Sequence, residues 1–172
     1  MLLFASLLLS TSFALAPVDS QWATALLESP FRHVRSQDRS VRHLLKRGFT
    51  HSVTFRNLMA RIEETDLIVY IEQVPRLPGA LEGRMMILPN AHGQRYVRIQ
   101  LALRGAPDDS VALLGHELQH ALEVAQEPWV YDQATLVELY QRIGTGSYGG
   151  SHVYDTRAAQ EVGRIVRREL LA

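Results

Sequence analysis

The stretch LLGHELQHALEVA, residues 113–125, places two histidines and a glutamate in a run of leucines and alanines. Such a run predicts a buried helix, where an unpaired polar group is costly. His116, Glu117 and His120 are therefore expected either to be hydrogen-bonded core residues or to hold a ligand. The rest of the chain must decide between these two interpretations.

The flanking residues define the ends of this predicted helix. Asp108, Asp109 or Ser110 can cap its start, where negative charge is favourable, and Pro128 marks its end. A helix between these limits carries the two histidines near its middle.

The spacing of the histidines indicates a metal site. His116 and His120 are four residues apart, so both imidazoles lie on one helix face and can reach a single ion. Glu117 lies about 100° further around the helix, beside the ion rather than necessarily bound to it. In this H-E-x-x-H arrangement two histidines bind zinc, and the glutamate takes a proton from the water that attacks a carbonyl.

A catalytic zinc site normally has a third protein ligand, and the last predicted helix offers Asp155. At about 100° per residue, five residues share its side of the helix: Ala158, Ala159, Val162, Val166 and Glu169. Because this is the small apolar face, Asp155 is expected to point towards the core. Glu161 falls on the opposite, arginine-rich face and is a poor candidate.

Three alternatives to Asp155 as a ligand stay open. Asp155 is also placed to be the N-cap of its helix. Glu123 shares the histidine face, but as a near neighbour of His120 it is better suited to contact a ligand or the substrate than the metal. Asp132 follows Pro128 closely and can fold back onto the ion.

The middle of the chain changes period from helix to strand. Residues 66–74, 83–89 and 95–103 are short, rich in β-formers and bounded by turn residues. The segments around them predict helices: 21–30, 40–48, 52–64, 133–144 and 155–170. We therefore predict an α+β fold with N-terminal helices, a small, mostly antiparallel sheet, the metal-binding helix and a C-terminal helix that supplies the third ligand.

Composition restricts the partners. The chain has 172 residues, formal net charge +0 and no cysteine, so residues 17–172 suit a single domain without disulfides or thiolate ligands. The balanced charge gives no electrostatic reason to expect nucleic acid or an anionic membrane as a partner. It does not predict an oligomeric state.

The first sixteen residues, MLLFASLLLSTSFALA, are apolar and end in the small-x-small pattern of Ala14-Leu15-Ala16. They are shorter than the about 20 residues that a membrane helix needs. We predict a cleaved signal peptide, a secreted or periplasmic location and no membrane span in the mature chain.

With HELQH and the later YDTRAA, residues 108–169 resemble the zincin metallopeptidases, and the gluzincin branch in particular, although Asp155 stands where gluzincins carry glutamate. The resemblance implies His116, His120 and Asp155 as zinc ligands and Glu117 as general base. It also implies that an extended substrate lies along a sheet edge, for which 95–103 is the candidate strand.

Zincins often stabilise the oxyanion with a nearby tyrosine or histidine. Tyr148, His152 and Tyr154 lie between the two metal helices, after a glycine-rich segment, GTGSYGG, typical of a mobile loop. A flexible connector with incidental aromatic residues is the alternative.

Three functions follow from this sequence. The first is an exported, zinc-dependent hydrolase, in particular a small peptidase with a peptide or protein substrate. The second is a non-catalytic zinc protein whose metal stabilises the fold or an interaction surface, although such a site does not need Glu117. The third is a metal-free binding domain.

Overall fold

The computed structural model of the chain describes residues 31–145 and 155–172. The predicted signal peptide, 1–16, and the predicted helix 21–30 lie outside the described residues. Tyr148, His152 and Tyr154 also lie outside them.

The described residues form five helices and a small sheet, so the α+β class is confirmed. Their order along the chain is β1 (Val34–Arg35), α1 (Arg39–His51), α2 (Val53–Glu63), β2 (Leu67–Gln73), β3 (Gly83–Ala91), β4 (Gln94–Leu101), α3 (Pro107–Ala125), α4 (Gln133–Ile143) and α5 (Arg157–Leu170). In these parts of the chain no helix has the length and apolar character needed to cross a membrane.

The sheet is mixed, so the prediction of a mostly antiparallel sheet is wrong. Its order is β1-β2-β4-β3, with β1 parallel to β2, β2 parallel to β4, and β3 antiparallel to β4. A tight hairpin at His92 and Gly93, both with positive φ, returns β4 into the position beside β2. The alternation of apolar and polar residues along a strand shows which of its faces is covered. It does not show whether the neighbouring strand runs parallel or antiparallel to it.

The prediction that the strand at 95–103 forms the sheet edge is also wrong. The corresponding strand, β4, lies between β2 and β3, and the outer strands of the described sheet are β1 and β3. The predicted alternation itself is confirmed, because Val97, Ile99 and Leu101 are fully buried while their neighbours are only partly buried. A central and an edge strand with one covered face have the same pattern.

The core lies between one face of the sheet and the helices, with α3 at its centre. Helix α3 contacts α1, α2, α5 and three strands. The largest side chains that are fully buried along this interface are Phe55, Met59, Ile62, Leu67, Ile99, Leu101, Leu114, Leu118 and Leu122. This packing holds α3 rigidly, so the positions of its polar residues are well defined.

The starts of two helices show where capping rules succeed and fail. Ser52, a residue type favoured at helix starts, caps α2, and its hydroxyl accepts a hydrogen bond from the Phe55 amide at 3.0 Å. Helix α3 instead begins after Ala106, with Pro107 as its first residue and without a side-chain cap. The prediction of an Asp108, Asp109 or Ser110 cap is therefore wrong, because proline is suited to the first helical position.

Candidate metal centre

The two histidines of α3 lie side by side in the middle of the helix. Their Nε2 atoms are 3.2 Å apart, and the ring centroids are separated by 4.8 Å in an edge-to-face arrangement. His120 is 5% exposed, whereas His116 is only partly buried. The four-residue spacing thus brings both ring nitrogens to one point, as the helix period predicts.

The start of α5 brings Asp155 to the same point. The N-cap of α5 is Thr156, whose hydroxyl accepts from the Ala159 amide at 3.0 Å, so Asp155 is not the cap. Its Oδ1 atom lies 3.4 Å from Nε2 of His116 and 3.7 Å from Nε2 of His120. Helices α5 and α3 lie close together at Gly163, where a Cβ would be in van der Waals contact, at 3.4 Å, with both the Ala112 carbonyl and Cβ of His116.

These three atoms fit a metal ion. They form a triangle with sides of 3.2, 3.4 and 3.7 Å, which has a point about 2.0 Å from every corner. Protein nitrogen and carboxylate oxygen bind zinc at about 2.0–2.2 Å. His116, His120 and Asp155 therefore constitute a candidate metal-binding triad.

Glu123 lies behind the triad rather than in it. Its Oε2 atom accepts from Nδ1 of His120 at 2.9 Å, and its Oε1 atom accepts from the Thr156 hydroxyl at 2.7 Å. Both carboxylate oxygens of Glu123 are thus engaged. Because Glu123 occupies Nδ1 of His120, Nε2 of the same ring is left to point towards His116 and Asp155. A carboxylate in this position fixes the tautomer and orientation of a metal-binding histidine.

The other two acidic residues weighed from the sequence serve elsewhere. Asp132 caps α4 and exchanges hydrogen bonds with Thr135. Glu161 lies on the solvent-facing side of α5, as predicted, where its half-exposed carboxylate pairs with Arg164 at 2.6 Å. The described structure therefore brings together the histidines and Asp155, and separates Asp132 and Glu161 from them.

Glu117 lies beside the triad, and the four residues border one cavity. This cavity has a volume of about 410 Å³, and His116, Glu117, His120 and Asp155 line one part of it. Its apolar wall consists of Leu81, Met85, Leu113, Leu136, Val137 and Tyr140. Burial raises the pKa of Glu117 to about 7, with a smaller contribution from the charge of Asp155.

The histidines differ in their affinity for protons. Burial lowers the pKa of His116, and the neighbouring charge of His120 lowers it further. Burial opposes protonation of His120 as well, but its hydrogen bond to Glu123 and the charges of Glu117, Glu123 and Asp155 raise its pKa. The cluster thus has an excess of carboxylates over imidazoles, an environment that favours a cation.

Sequence reasoning did not identify three residues that shape this site. Thr156 holds Glu123, and Gly83 lies against Glu117. Tyr140 packs its ring edge-to-face on His120, with centroids 5.3 Å apart, and its hydroxyl donates to the His120 carbonyl at 3.3 Å. Each acts across a long sequence separation, which local patterns do not report.

Comparisons with protein families, with curated proteins and with solved structures gave no match to this chain. The resemblance to zincins therefore stays a prediction from the sequence motifs.

Proposed function

We propose that this protein is a zinc-dependent hydrolase that cleaves peptide bonds. One observation carries the proposal: the convergence of His116, His120 and Asp155 on one point, with the buried carboxyl group of Glu117 beside it in the same cavity. A site used only for binding metal does not need a carboxyl group such as that of Glu117 beside its ligands.

The donor set favours zinc as the ion. Two imidazole nitrogens and one carboxylate oxygen are ligands that zinc accepts readily, and three protein ligands leave a coordination position open. When bound, zinc polarises a carbonyl group and lowers the pKa of a coordinated water.

Glu117 is suited to move a proton. Its burial beside the triad keeps bulk water away, and no described residue makes a hydrogen bond to its carboxylate. A cation at the triad favours the ionised form, which can accept a proton at Oε1 or Oε2 and return it to a leaving amine. The protein thus supplies a base with a free acceptor on the side of the cavity.

A peptide substrate is supported by the strand at the cavity rim. Gly83, Arg84 and Met85 of β3 border the cavity, and in the described sheet β3 pairs only with β4. The peptide groups on its other edge can pair with an extended chain. This assigns to β3 the substrate-binding role that the sequence had suggested for 95–103. The exported location stays a prediction from residues 1–16.

The experiment compares the wild-type protein with Glu117→Gln for zinc content and for cleavage of denatured casein. We expect both proteins to hold one zinc ion, and only the wild type to cleave. Equal cleavage by both would refute the role of Glu117, and absence of zinc from the wild type would refute the metal site.

A second candidate function is a non-catalytic zinc site. It is favoured by the origin of the ligands, because an ion joining His116 and His120 to Asp155 ties α3 to the start of α5. If zinc binds and raises the Tm of the wild type, but no unfolded protein is cleaved, this function replaces the hydrolase.

A further inference from the structure

The first residue of β3 lies in contact with the side chain of Glu117. A Cβ atom built on Gly83 would overlap Oε1 of Glu117 and come within 2.6 Å of Cδ and 2.9 Å of Cγ. Real Cβ atoms essentially never come within 3.0 Å of another atom, so the end of the Glu117 side chain would have to move. The three nearest atoms all belong to Glu117, and none belongs to a residue of the triad.

Backbone conformation does not explain the glycine. Among described residues the positive φ angles are at Gly79, His92 and Gly93, so Gly83 has a conformation that other residues adopt. Its Cβ would point towards α3, since β3 residues on this side, such as Met85, pack against the core. The position of the Glu117 side chain is therefore the feature that a side chain at residue 83 would change.

We propose that Gly83 is a positioning residue for Glu117. Its bare backbone forms the wall against which the carboxylate lies, and this wall keeps the carboxylate directed at the cavity beside the triad. A side chain at residue 83 would displace the carboxylate while leaving the three metal-binding atoms in place. The catalytic consequence rests on the proposed function, but the contact itself does not.

A double-mutant cycle with the zinc-free protein tests the contact. In the wild type, Gly83→Ala should lower the Tm by several degrees, because overpacking strains the site. In a Glu117→Ala background, which lacks Cγ, Cδ and Oε1, the same substitution should leave the Tm unchanged or raise it slightly. An equal loss of Tm in both backgrounds would overturn the proposal.

Zinc affinity and cleavage test the consequence. Gly83→Ala should bind zinc within a few-fold of the wild type and lose at least tenfold in kcat, with little change in KM. Full cleavage by Gly83→Ala would overturn the positioning role. If the wild type itself does not cleave, the hydrolase proposal fails, whereas the Tm cycle still decides whether Gly83 places Glu117.

Discussion

Charged side chains are buried both at the C-terminal end of α3 and at the middle of the same helix. The two regions differ in how fully other protein groups pair with these side chains. At the end, the guanidinium of Arg95 donates to both oxygens of Asp66 and to four backbone carbonyls at and just beyond the end of the helix. Those carbonyls belong to Val124, Ala125, Glu127 and Val130, at 2.8–3.1 Å. Every donor group of this buried arginine has a partner from the protein.

In the middle of α3 the described residues do not complete the arrangement. Nε2 of His116, Nε2 of His120 and Oδ1 of Asp155 face one another, and all three can act as acceptors. Three carboxylates, Glu117, Glu123 and Asp155, surround the two imidazoles. The comparison teaches that a closed network indicates a structural role, whereas an open set of acceptors indicates a site for a cation.

Removing the closed network should have the largest effect on stability. We expect Arg95→Met to lower the free energy of unfolding by about 3 kcal/mol, because Asp66 and four backbone carbonyls at and just beyond the end of α3 lose their donor. Urea titration of the zinc-free protein measures this. Arg98→Met is the matched control, since Arg98 forms an exposed pair with Glu72 at 3.9 Å and should change stability by less than about 0.5 kcal/mol. Similar losses in both variants would erase the distinction between the regions.

Removing one member of the open cluster should instead affect metal binding. Asp155→Ala should weaken zinc affinity by at least about 100-fold, more than loss of an outer partner does. The unfolding free energy of the zinc-free protein should fall by only about 1 kcal/mol, because relief of repulsion between carboxylates partly offsets the lost hydrogen bonds from the Thr156 amide and the Gln160 side chain. Competition with a chromophoric chelator measures the affinity. Glu161→Ala, on the exposed side of α5, should keep the wild-type affinity, and a loss there as large as in Asp155→Ala would contradict the assignment.

The relay behind the triad should have a smaller effect. Thr156→Val removes the hydroxyl that donates to Glu123 at 2.7 Å, so we expect zinc affinity to fall about 10-fold. Loss of the α5 cap should also lower stability by about 1 kcal/mol. Thr156→Ser keeps the hydroxyl and should retain both properties. If Thr156→Val and Thr156→Ser bind zinc equally, Glu123 does not depend on this hydrogen bond.

The hydrogen bonds around Glu169 form a second closed network, and its loss should have the smallest effect, a pH-dependent change in the free energy of unfolding. Burial alone would raise the pKa of Glu169, but hydrogen bonds from Ser52 and Thr54 lower it below 4.5. The stabilisation is therefore present above about pH 4.5 and is lost as the pH falls through the lowered pKa. The unfolding free energies of wild type and Glu169→Gln should differ by about 1 kcal/mol at pH 6 and converge near pH 3. A difference independent of pH would show that the carboxylate charge is not involved.

The two histidine ligands could be predicted from sequence because residues four apart on a helix share a face. Asp155 was chosen by extending the small apolar face of α5 back to it, but it lies before the N-cap Thr156, so helix periodicity does not set its direction. That face was only partly right, because Ala159 and Val166 are buried whereas Ala158 is exposed. The strand segments were predicted well for the same reason, since alternation is a local property.

The features that the sequence did not reveal depend on long-range neighbours. Arg95 lies on the same, core-facing side of β4 as Val97. The strand pattern does not indicate that its guanidinium binds the carbonyls at the end of α3. The contact of Gly83 with Glu117 and the order of the strands depend in the same way on how separate segments meet. Such contacts leave no periodic trace in the chain.

The most direct measurement of the central claim is the location of zinc in a crystal of the purified protein, by anomalous scattering at the zinc absorption edge. The account predicts one ion per chain, within about 2.0–2.2 Å of Nε2 of His116, Nε2 of His120 and an oxygen of Asp155. Protein that contains no stoichiometric zinc after purification in its presence, or an ion bound away from these three atoms, would contradict the account.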